Sequence, residues 1–250
     1  NVPVMLIGTS IATAAFPRLT ERLSQGRPDL FRKDFLTFLR VMIWLALPII
    51  VVSYFGRGYL ARLLFADVAP EVALIFGYLT AAIFFRILYA LISRYFYAQK
   101  DTWTPLIVSL ITIVLNVYLA FRLARPEAYG GYGISGLALA QSLVAMCEVA
   151  ILFCIMIAKD NKLINREFIS GFIKILSVTG FSILAAFLVI SFLPLRITDR
   201  GIVTLGAKFG TLAAVTLMVH VLISTLFGLE EVRPFWRKLR QFVLRPIKVQ

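Results

Sequence analysis

The chain has 250 residues, of which 60% are hydrophobic and only 16% are charged. This composition excludes an ordinary water-soluble domain, in which apolar residues make up about half of the chain, and it predicts an all-α, polytopic membrane protein. The formal net charge of +13 does not point to nucleic acid. Basic residues beside apolar segments are typical of topology signals and of contacts with anionic lipid, so we expect no nucleic-acid partner.

Seven apolar segments are predicted to cross the bilayer, since a helix needs about twenty residues to span the hydrocarbon core. They cover residues 2–17, 36–55, 72–98, 103–121, 132–158, 168–193 and 205–227. The first is short and ends at Phe16-Pro17, as expected of a truncated helix. The residues from Arg18 to Asp34 read as a solvated loop that leads into an amphipathic helix starting at Asp29 or Asp34. Pro48 lies in the middle of the second segment, where it removes one backbone hydrogen bond and kinks the helix unless a neighbour satisfies the freed carbonyl.

Lysine and arginine are distributed unequally between alternate connections. One set of connections holds fifteen of them: Arg18, Arg22, Arg27, Arg32, Lys33, Lys100, Lys159, Lys162, Arg166, Arg233, Arg237, Lys238, Arg240, Arg245 and Lys248. The alternate set holds six: Arg57, Arg62, Arg122, Arg125, Arg196 and Arg200. The positive-inside rule places the richer set in the cytoplasm. We therefore expect the N-terminus of this chain outside and its C-terminus in the cytoplasm.

The sequence contains no catalytic or metal-binding constellation. His220 is the only histidine, and Cys147 and Cys154 are not at metal-ligand spacing. A phosphate-binding glycine loop, a nucleophile elbow and an HExxH motif are all missing from the sequence. We therefore predict neither an enzyme nor a cofactor.

Polar residues inside the predicted spans are the candidate site. Arg86 lies near the middle of segment 72–98, where an arginine is costly and should face the bundle interior or a water-filled cavity. It suits an anionic passenger, because guanidinium binds phosphate or carboxylate; the alternative is a structural pair with Glu148 or with a helix carbonyl end. Glu148 either couples to protons or cations, or pairs with a cation on a neighbouring helix. Asn116 is either a ligand or an interhelical hydrogen-bonding residue.

Three further cations fall inside or near the ends of predicted spans. Arg40, Lys174 and Lys208 lie close enough to the interface to extend their charged groups into water, and we expect them to do so. After the last span, apolar residues recur at helical spacing from Glu230 to Val243 between basic residues. This tail, residues 228–250, reads either as an amphipathic helix on anionic membrane lipid or as a basic signal that only fixes topology.

One stretch carries a family resemblance. The run from Ser93 to Pro105, SRYFYAQKDTWTP, resembles the R-x-[FY]-Y-A-x-x-D-T-x-T-P motif of the MurJ (MviN) lipid II flippases, which belong to a wider superfamily of multidrug, oligosaccharidyl-lipid and polysaccharide exporters. Its matching positions are Arg94, Tyr97, Asp101, Thr104 and Pro105. Four shorter blocks are similar to other family blocks in order and spacing: Pro3–Leu19, Ala46-Leu47-Pro48, Leu115-Asn116-Val117 and Gly133–Ser142.

The resemblance implies an architecture. Members of this family have two six-helix lobes and two added helices, so the chain would be the C-terminal half of such a flippase. Residues 1–160 would form most of the second lobe, and 161–227 would form the two added helices, whose apolar faces make a groove for the lipid tail. The partners implied are a lipid-linked diphosphate (lipid II) and the missing N-terminal lobe, which holds several cavity arginines. We expect that this chain alone does not transport.

Within this resemblance, the candidate substrate-binding residues are Arg86, Asn116 and Glu148. We read the motif hairpin as a structural clasp on the cytoplasmic side, in which Arg94 and Asp101 pair across the turn and Pro105 begins the next helix. The implied function is movement of an undecaprenyl-diphosphate-linked peptidoglycan precursor across the bacterial cytoplasmic membrane by alternating access. Alternatives are a flippase for another polyprenyl-linked glycan, a drug exporter of the same superfamily, or a membrane scaffold that does not transport.

Overall fold

The structure is a computed structural model of the 250-residue chain, and it describes residues 2–65, 69–126, 129–196, 199, 201–233 and 236. The described residues form α-helices joined by short connections. Their order is a π-helical segment Val4–Thr9, then α1 Ser10–Ser24, α2 Pro28–Phe55, α3 Arg57–Leu64, α4 Ala69–Ala98, α5 Trp103–Leu123, α6 Gly133–Lys159, α7 Arg166–Phe192, α8 Ile202–Leu226 and a 3₁₀ turn Glu230–Val232.

The predicted all-α membrane fold is confirmed. Among the described residues, six helices are long and apolar enough to cross a bilayer, namely α2, α4, α5, α6, α7 and α8. They correspond to the last six predicted spans. The first predicted span is represented by the π-helical segment and α1, which run on from one another.

One local prediction was wrong. The first helix does not end at Pro17, because α1 continues through this proline to Ser24 and leaves only residues 25–27 as a turn before α2. Pro17 lies inside α1 and removes one backbone hydrogen bond of that helix. The connection after the second span contains the short helix α3.

The bundle is organised around α4, which packs against α1, α2, α3 and α6. Its C-terminal half contributes Tyr95 and Phe96, both 1% exposed, to the main core. The Tyr95 ring lies 5.3 Å from the ring of Phe31 and 5.0 Å from the ring of Phe35, measured between centroids, on α2. Helices α7 and α8 pack on each other and against α2, and α8 also packs against α3, so the last two helices join the bundle through α2 and α3.

Polar contacts sort the helix connections into two ends of the bundle. At one end, Arg32 after the α1–α2 turn lies 2.5 Å from Asp160 in the α6–α7 connection. At the other end, Tyr59 of α3 donates a hydrogen bond to the carbonyl of Leu193 after α7, and Lys208 of α8 pairs with Asp199 at 2.6 Å. Lys208 is therefore ion-paired rather than simply extended into water.

Candidate substrate cavity

Arg86 lies in the middle of α4, twelve residues before the helix ends at Ala98, which is about 18 Å along the axis. Its side chain is exposed on the surface of this chain. Among the described residues no hydrogen bond or ion pair to Arg86 is formed. An arginine at this depth costs about 2.5–3.5 kcal/mol on insertion scales unless water or an anion meets it. The Arg86 guanidinium is therefore available to bind water or an anion.

A cavity of about 480 Å³ lies beside Arg86. Helices α2, α3, α4 and α6 and the N-terminal segment contribute to its wall. Its polar side chains are Ser53, Thr80, Arg86 and Gln141, and the remaining lining is apolar. Because Arg86 is the only charged side chain among the described lining residues, the cavity favours a negatively charged group.

Glu148 belongs to a separate polar cluster. Its Oε1 atom accepts a hydrogen bond from the hydroxyl of Ser109 at 2.7 Å, and the Ser109 hydroxyl lies 3.2 Å from that of Tyr89. The alternative expectations of a Glu148 pair with Arg86 or with another cation are wrong for the part of the chain that the structure describes. The cluster joins α4, α5 and α6 within the membrane.

Asn116 is half-buried on α5 and is not part of the lining of the Arg86 cavity. The interhelical hydrogen bond expected for it is not formed among the described residues. The structure thus does not bring Arg86, Asn116 and Glu148 together in one site, although the sequence placed all three in the spans.

The motif hairpin between α4 and α5 is built by two overlapping caps. The Asp101 N–H donates to the carbonyl of Phe96 and the Lys100 N–H donates to that of Tyr97, which is the Schellman arrangement of a helix C-terminus. Lys100 supplies the left-handed position, at φ 62°, where glycine is the usual residue. The Asp101 carboxylate then accepts from the Thr104 N–H at 3.0 Å and from its hydroxyl at 2.6 Å, which caps the start of α5 ahead of the buried Pro105.

The expected pairing of Arg94 with Asp101 is wrong. Asp101 is paired with Lys159 at the end of α6, and this hydrogen bond, followed by those from Thr104, lowers the pKa of Asp101 to about 2. The Arg94 guanidinium lies over the rings of Phe16 and Tyr97, at 5.5 and 5.7 Å from their centroids. The two residues hold different neighbours because Arg94 lies a full turn inside α4, on the side that faces α1.

Arg40 is also placed differently from the sequence expectation. Its side chain is 13% exposed and lies 2.5 Å from the carboxylate of Glu231, which is 3% exposed. The contact is an ion pair without an aligned hydrogen bond at Arg40 Nε. A Cβ atom at Gly171 on α7 would lie 2.4 Å from Arg40 Cζ, so glycine at this position makes room for the guanidinium. Lys174 is exposed as expected.

An apolar cavity of about 430 Å³ lies between α2 and α8. Its wall includes Trp44, Pro48, Leu217, His220 and Trp236. Of the predicted tail, residues 228–250, only 228–233 and 236 lie within the described residues. Helix α8 thus shares this cavity with α2, a contact that the sequence did not indicate.

Fold and cavity together define a multi-pass helical membrane protein with a charged residue facing a cavity at membrane depth. The family model described as "Lipid II flippase MurJ" matches residues 1–230, and the chain belongs to the MurJ family.

Known members agree with this assignment. The chain is 27% identical over 252 residues to the probable lipid II flippase MurJ of Thermotoga maritima, covering 95% of this chain and 46% of the relative. It is 20% identical over 170 residues to that of Borreliella burgdorferi, covering 65% of this chain and 32% of the relative. The solved structure "Lipid II flippase MurJ, inward closed conformation" superposes with a TM-score of 0.71 at 20% identity, over 95% of this chain and 45% of that one. The chain thus spans less than half the length of these relatives, and the structural likeness concerns the fold.

Proposed function

We propose that this chain is the C-terminal part of a lipid II flippase, which moves an undecaprenyl-diphosphate-linked peptidoglycan precursor across the bacterial cytoplasmic membrane. Membership of the MurJ family over residues 1–230 supports the substrate class. The observation that carries the proposal within this chain is Arg86, an arginine without a partner among the described residues, beside a 480 Å³ cavity at membrane depth. In this role, the Arg86 guanidinium replaces water around the diphosphate of the lipid head.

The charged head group is the main barrier to this movement, because a lipid-linked diphosphate cannot cross about 30 Å of hydrocarbon unaided. A cavity that presents a cation at membrane depth lowers that barrier. Two lobes that rock against each other expose the cavity to alternate sides of the membrane. In this proposal the chain supplies most of the second lobe, residues 1–160, and an N-terminal lobe of the same protein supplies the facing wall.

The lipid tail is proposed to lie against the two added helices. The α7 surface carries exposed apolar side chains, among them Phe181, Leu184, Phe187 and Leu188. The apolar cavity between α2 and α8 is proposed as a second apolar contact for the tail. A polyprenyl chain buries favourably there, at about 25 cal/mol for each Å² removed from water.

We also propose the orientation expected from the charge bias. The end that carries Arg32, Lys159 and Asp160 is cytoplasmic, and the end that carries Tyr59 and Asp199 is outside. The sorting of helix connections by polar contacts supports this arrangement, because the lysine- and arginine-rich connections share one end. No catalytic step is part of the proposal. Glu148 and Asn116 are proposed as polar residues of the second lobe that tune its packing rather than as head-group contacts.

Complementation tests the function. The complete gene, expressed in a bacterium depleted of its own flippase, should restore growth, and the same gene with Arg86→Glu should not. Arg122→Ala is the control, because Arg122 lies at the end of α5, outside the cavity lining, with its guanidinium over the ring of Tyr118. Growth with Arg86→Glu would show that Arg86 does not bind the head group. Failure of the unaltered gene despite normal membrane insertion would favour another polyprenyl-linked substrate or a scaffold.

A further inference from the structure

A buried polar cluster lies where α2, α7 and α8 meet, inside the membrane-spanning part of the bundle. Its members are Trp44 on α2, Ser182 on α7, and His220 and Ser224 on α8, and each is at most 5% exposed. Apolar surroundings make each polar atom here costly unless it is hydrogen-bonded. The cluster is separate from the Arg86 cavity, which none of its members lines.

The cluster is centred on the carbonyl group that Pro48 leaves free. In a regular helix the N–H of residue 48 would donate to the carbonyl of Trp44, four residues earlier, but proline has no N–H. His220 Nε2 lies 3.1 Å from that carbonyl oxygen. Since a carbonyl oxygen only accepts, His220 Nε2 carries the proton and donates. The side chain from α8 therefore replaces the backbone donor that α2 lacks, and α2 runs as one helix from Pro28 to Phe55.

Two further hydrogen bonds complete the arrangement. With Nε2 protonated in a neutral ring, Nδ1 accepts from the Ser182 hydroxyl, 3.0 Å away on α7. The indole Nε1 of Trp44 donates to the hydroxyl of Ser224 at 2.8 Å. Ser224 lies one helical turn after His220, so α8 presents both residues to α2 from one face. One turn of α8 is thus joined to α2 next to Pro48 by two hydrogen bonds, one from His220 and one to Ser224.

The same residues form part of the apolar cavity between α2 and α8. Trp44, Pro48 and His220 all line it, so a chain bound there contacts the helix at the position where its hydrogen-bond ladder is interrupted. We propose that His220 is a positioning residue that closes the Pro48 gap in α2 and thereby couples α8 and its apolar cavity to the second-lobe bundle. The transport consequence of this coupling rests on the proposed function, whereas the hydrogen-bond geometry does not.

A double-mutant cycle on the full-length protein tests the geometry. His220→Leu removes the donor and leaves the Trp44 carbonyl unpaired in an apolar site, so the thermal midpoint of unfolding should fall clearly. Pro48→Ala restores the missing backbone N–H, and in that background the loss caused by His220→Leu should shrink to about half or less, because the carbonyl then has its own donor. Equal losses in both backgrounds would overturn the proposal.

Two further variants separate a specific donor from simple space filling. His220→Gln keeps an N–H donor of similar reach and should recover most of the midpoint lost in His220→Leu. Thr216→Val is the matched control, since its hydroxyl is fully buried one turn earlier on the same helix and has no hydrogen-bond partner among the described residues. It should leave the midpoint unchanged or raise it. A Gln variant as unstable as the Leu variant would contradict the proposed donor role.

Transport assays on the same variants test the coupling. In vesicles that contain the full-length protein, His220→Leu should slow lipid II flipping at least about tenfold while leaving the affinity for a soluble diphosphate head-group analogue without a polyprenyl tail within about twofold, because the Arg86 cavity is untouched. Flipping at the unaltered rate would overturn the coupling. If the unaltered protein binds no lipid II, the proposed function fails, and the double-mutant cycle still decides the role of His220.

Discussion

The ammonium group of Lys159, the last residue of α6, is hydrogen-bonded to the carboxylate of Asp101 in the hairpin between α4 and α5. The same ammonium lies 5.5 Å from the centroid of the Phe96 ring. Asp101 also caps α5 through Thr104. One carboxylate therefore joins the ends of three helices, which explains why the motif that carries the family resemblance is structural.

The first prediction concerns this carboxylate. Asp101→Asn should lower the free energy of unfolding by about 1–2 kcal/mol, because it weakens a charge-assisted hydrogen bond to Lys159 and the cap on α5. Lys159 is 46% exposed, so solvent screening keeps the effect in this range. Unfolding of the purified full-length protein, with Lys162→Met as a control cation in the same connection, measures it. An Asn variant as stable as the parent would contradict the clasp.

The pH dependence of that clasp has a definite sign. The pKa of Asp101 is lowered from 3.8 to about 2 in the folded protein. A carboxyl group with a depressed pKa stabilises the fold fully above the unfolded pKa, and this contribution is lost as the pH falls toward the folded pKa. The parent should therefore lose stability relative to Asp101→Asn between about pH 4 and pH 2. A constant difference across that window would contradict the assignment.

The second prediction is a gain of stability at the neighbouring residue. Lys100 occupies a left-handed conformation, φ 62°, at the C-terminus of α4. Glycine adopts this conformation without the Cβ clash, so Lys100→Gly should stabilise the protein by about 0.5–1 kcal/mol. Lys100→Ala keeps the clash and controls for loss of the charge. If the alanine and glycine variants are equally stable, backbone strain is not the cause.

The third prediction concerns the contact between α7 and Arg40. Gly171→Ala should destabilise the protein by about 1–3 kcal/mol, because the new methyl group would overlap the guanidinium and displace it from buried Glu231. Gly180→Ala, on the same helix, meets no atom within 4 Å and should be neutral or stabilising by up to about 1 kcal/mol. Equal effects of the two substitutions would show that Arg40 tolerates the methyl group.

The fourth prediction concerns Arg94. Arg94→Ala should reduce stability by about 0.5–2 kcal/mol through loss of its contacts with Phe16 and Tyr97, while lipid II affinity stays within about twofold. Arg94→Lys retains a cation over the rings and should lose less. Binding titration beside thermal unfolding separates the two effects. A variant that folds normally but binds lipid II weakly would place Arg94 in the substrate site.

The sequence was sufficient for the parts of the fold that depend on local composition. The apolar segments at 72–98, 103–121 and 132–158 agree closely with α4, α5 and α6, because lipid leaves a helix as the stable form of such runs. The depth of Arg86 followed in the same way, from its position within an apolar segment.

The hydrogen-bond and ion-pair partners of individual polar residues could not be predicted from the sequence. Lys159 and Asp101 are 58 residues apart, and His220 and Trp44 are 176 apart, so no local pattern links them. Arg94 and Asp101 are closer in sequence but are separated by the turn that ends α4. Arg94 contacts Phe16 of α1, whereas Asp101 pairs with Lys159 of α6. The consequence of Pro48 was foreseen as a freed carbonyl, whereas the residue that satisfies it required the structure.

The central claim is that Arg86 meets the diphosphate of lipid II, and the binding affinity of the full-length protein for lipid II tests it most directly. Arg86→Ala should weaken binding at least about tenfold, since a charge-assisted hydrogen bond contributes about 1.5–3 kcal/mol, and Arg86→Lys should recover part of that loss. Arg122→Ala should bind as the parent does. Unchanged affinity in a folded, membrane-inserted Arg86→Ala variant would contradict the claim.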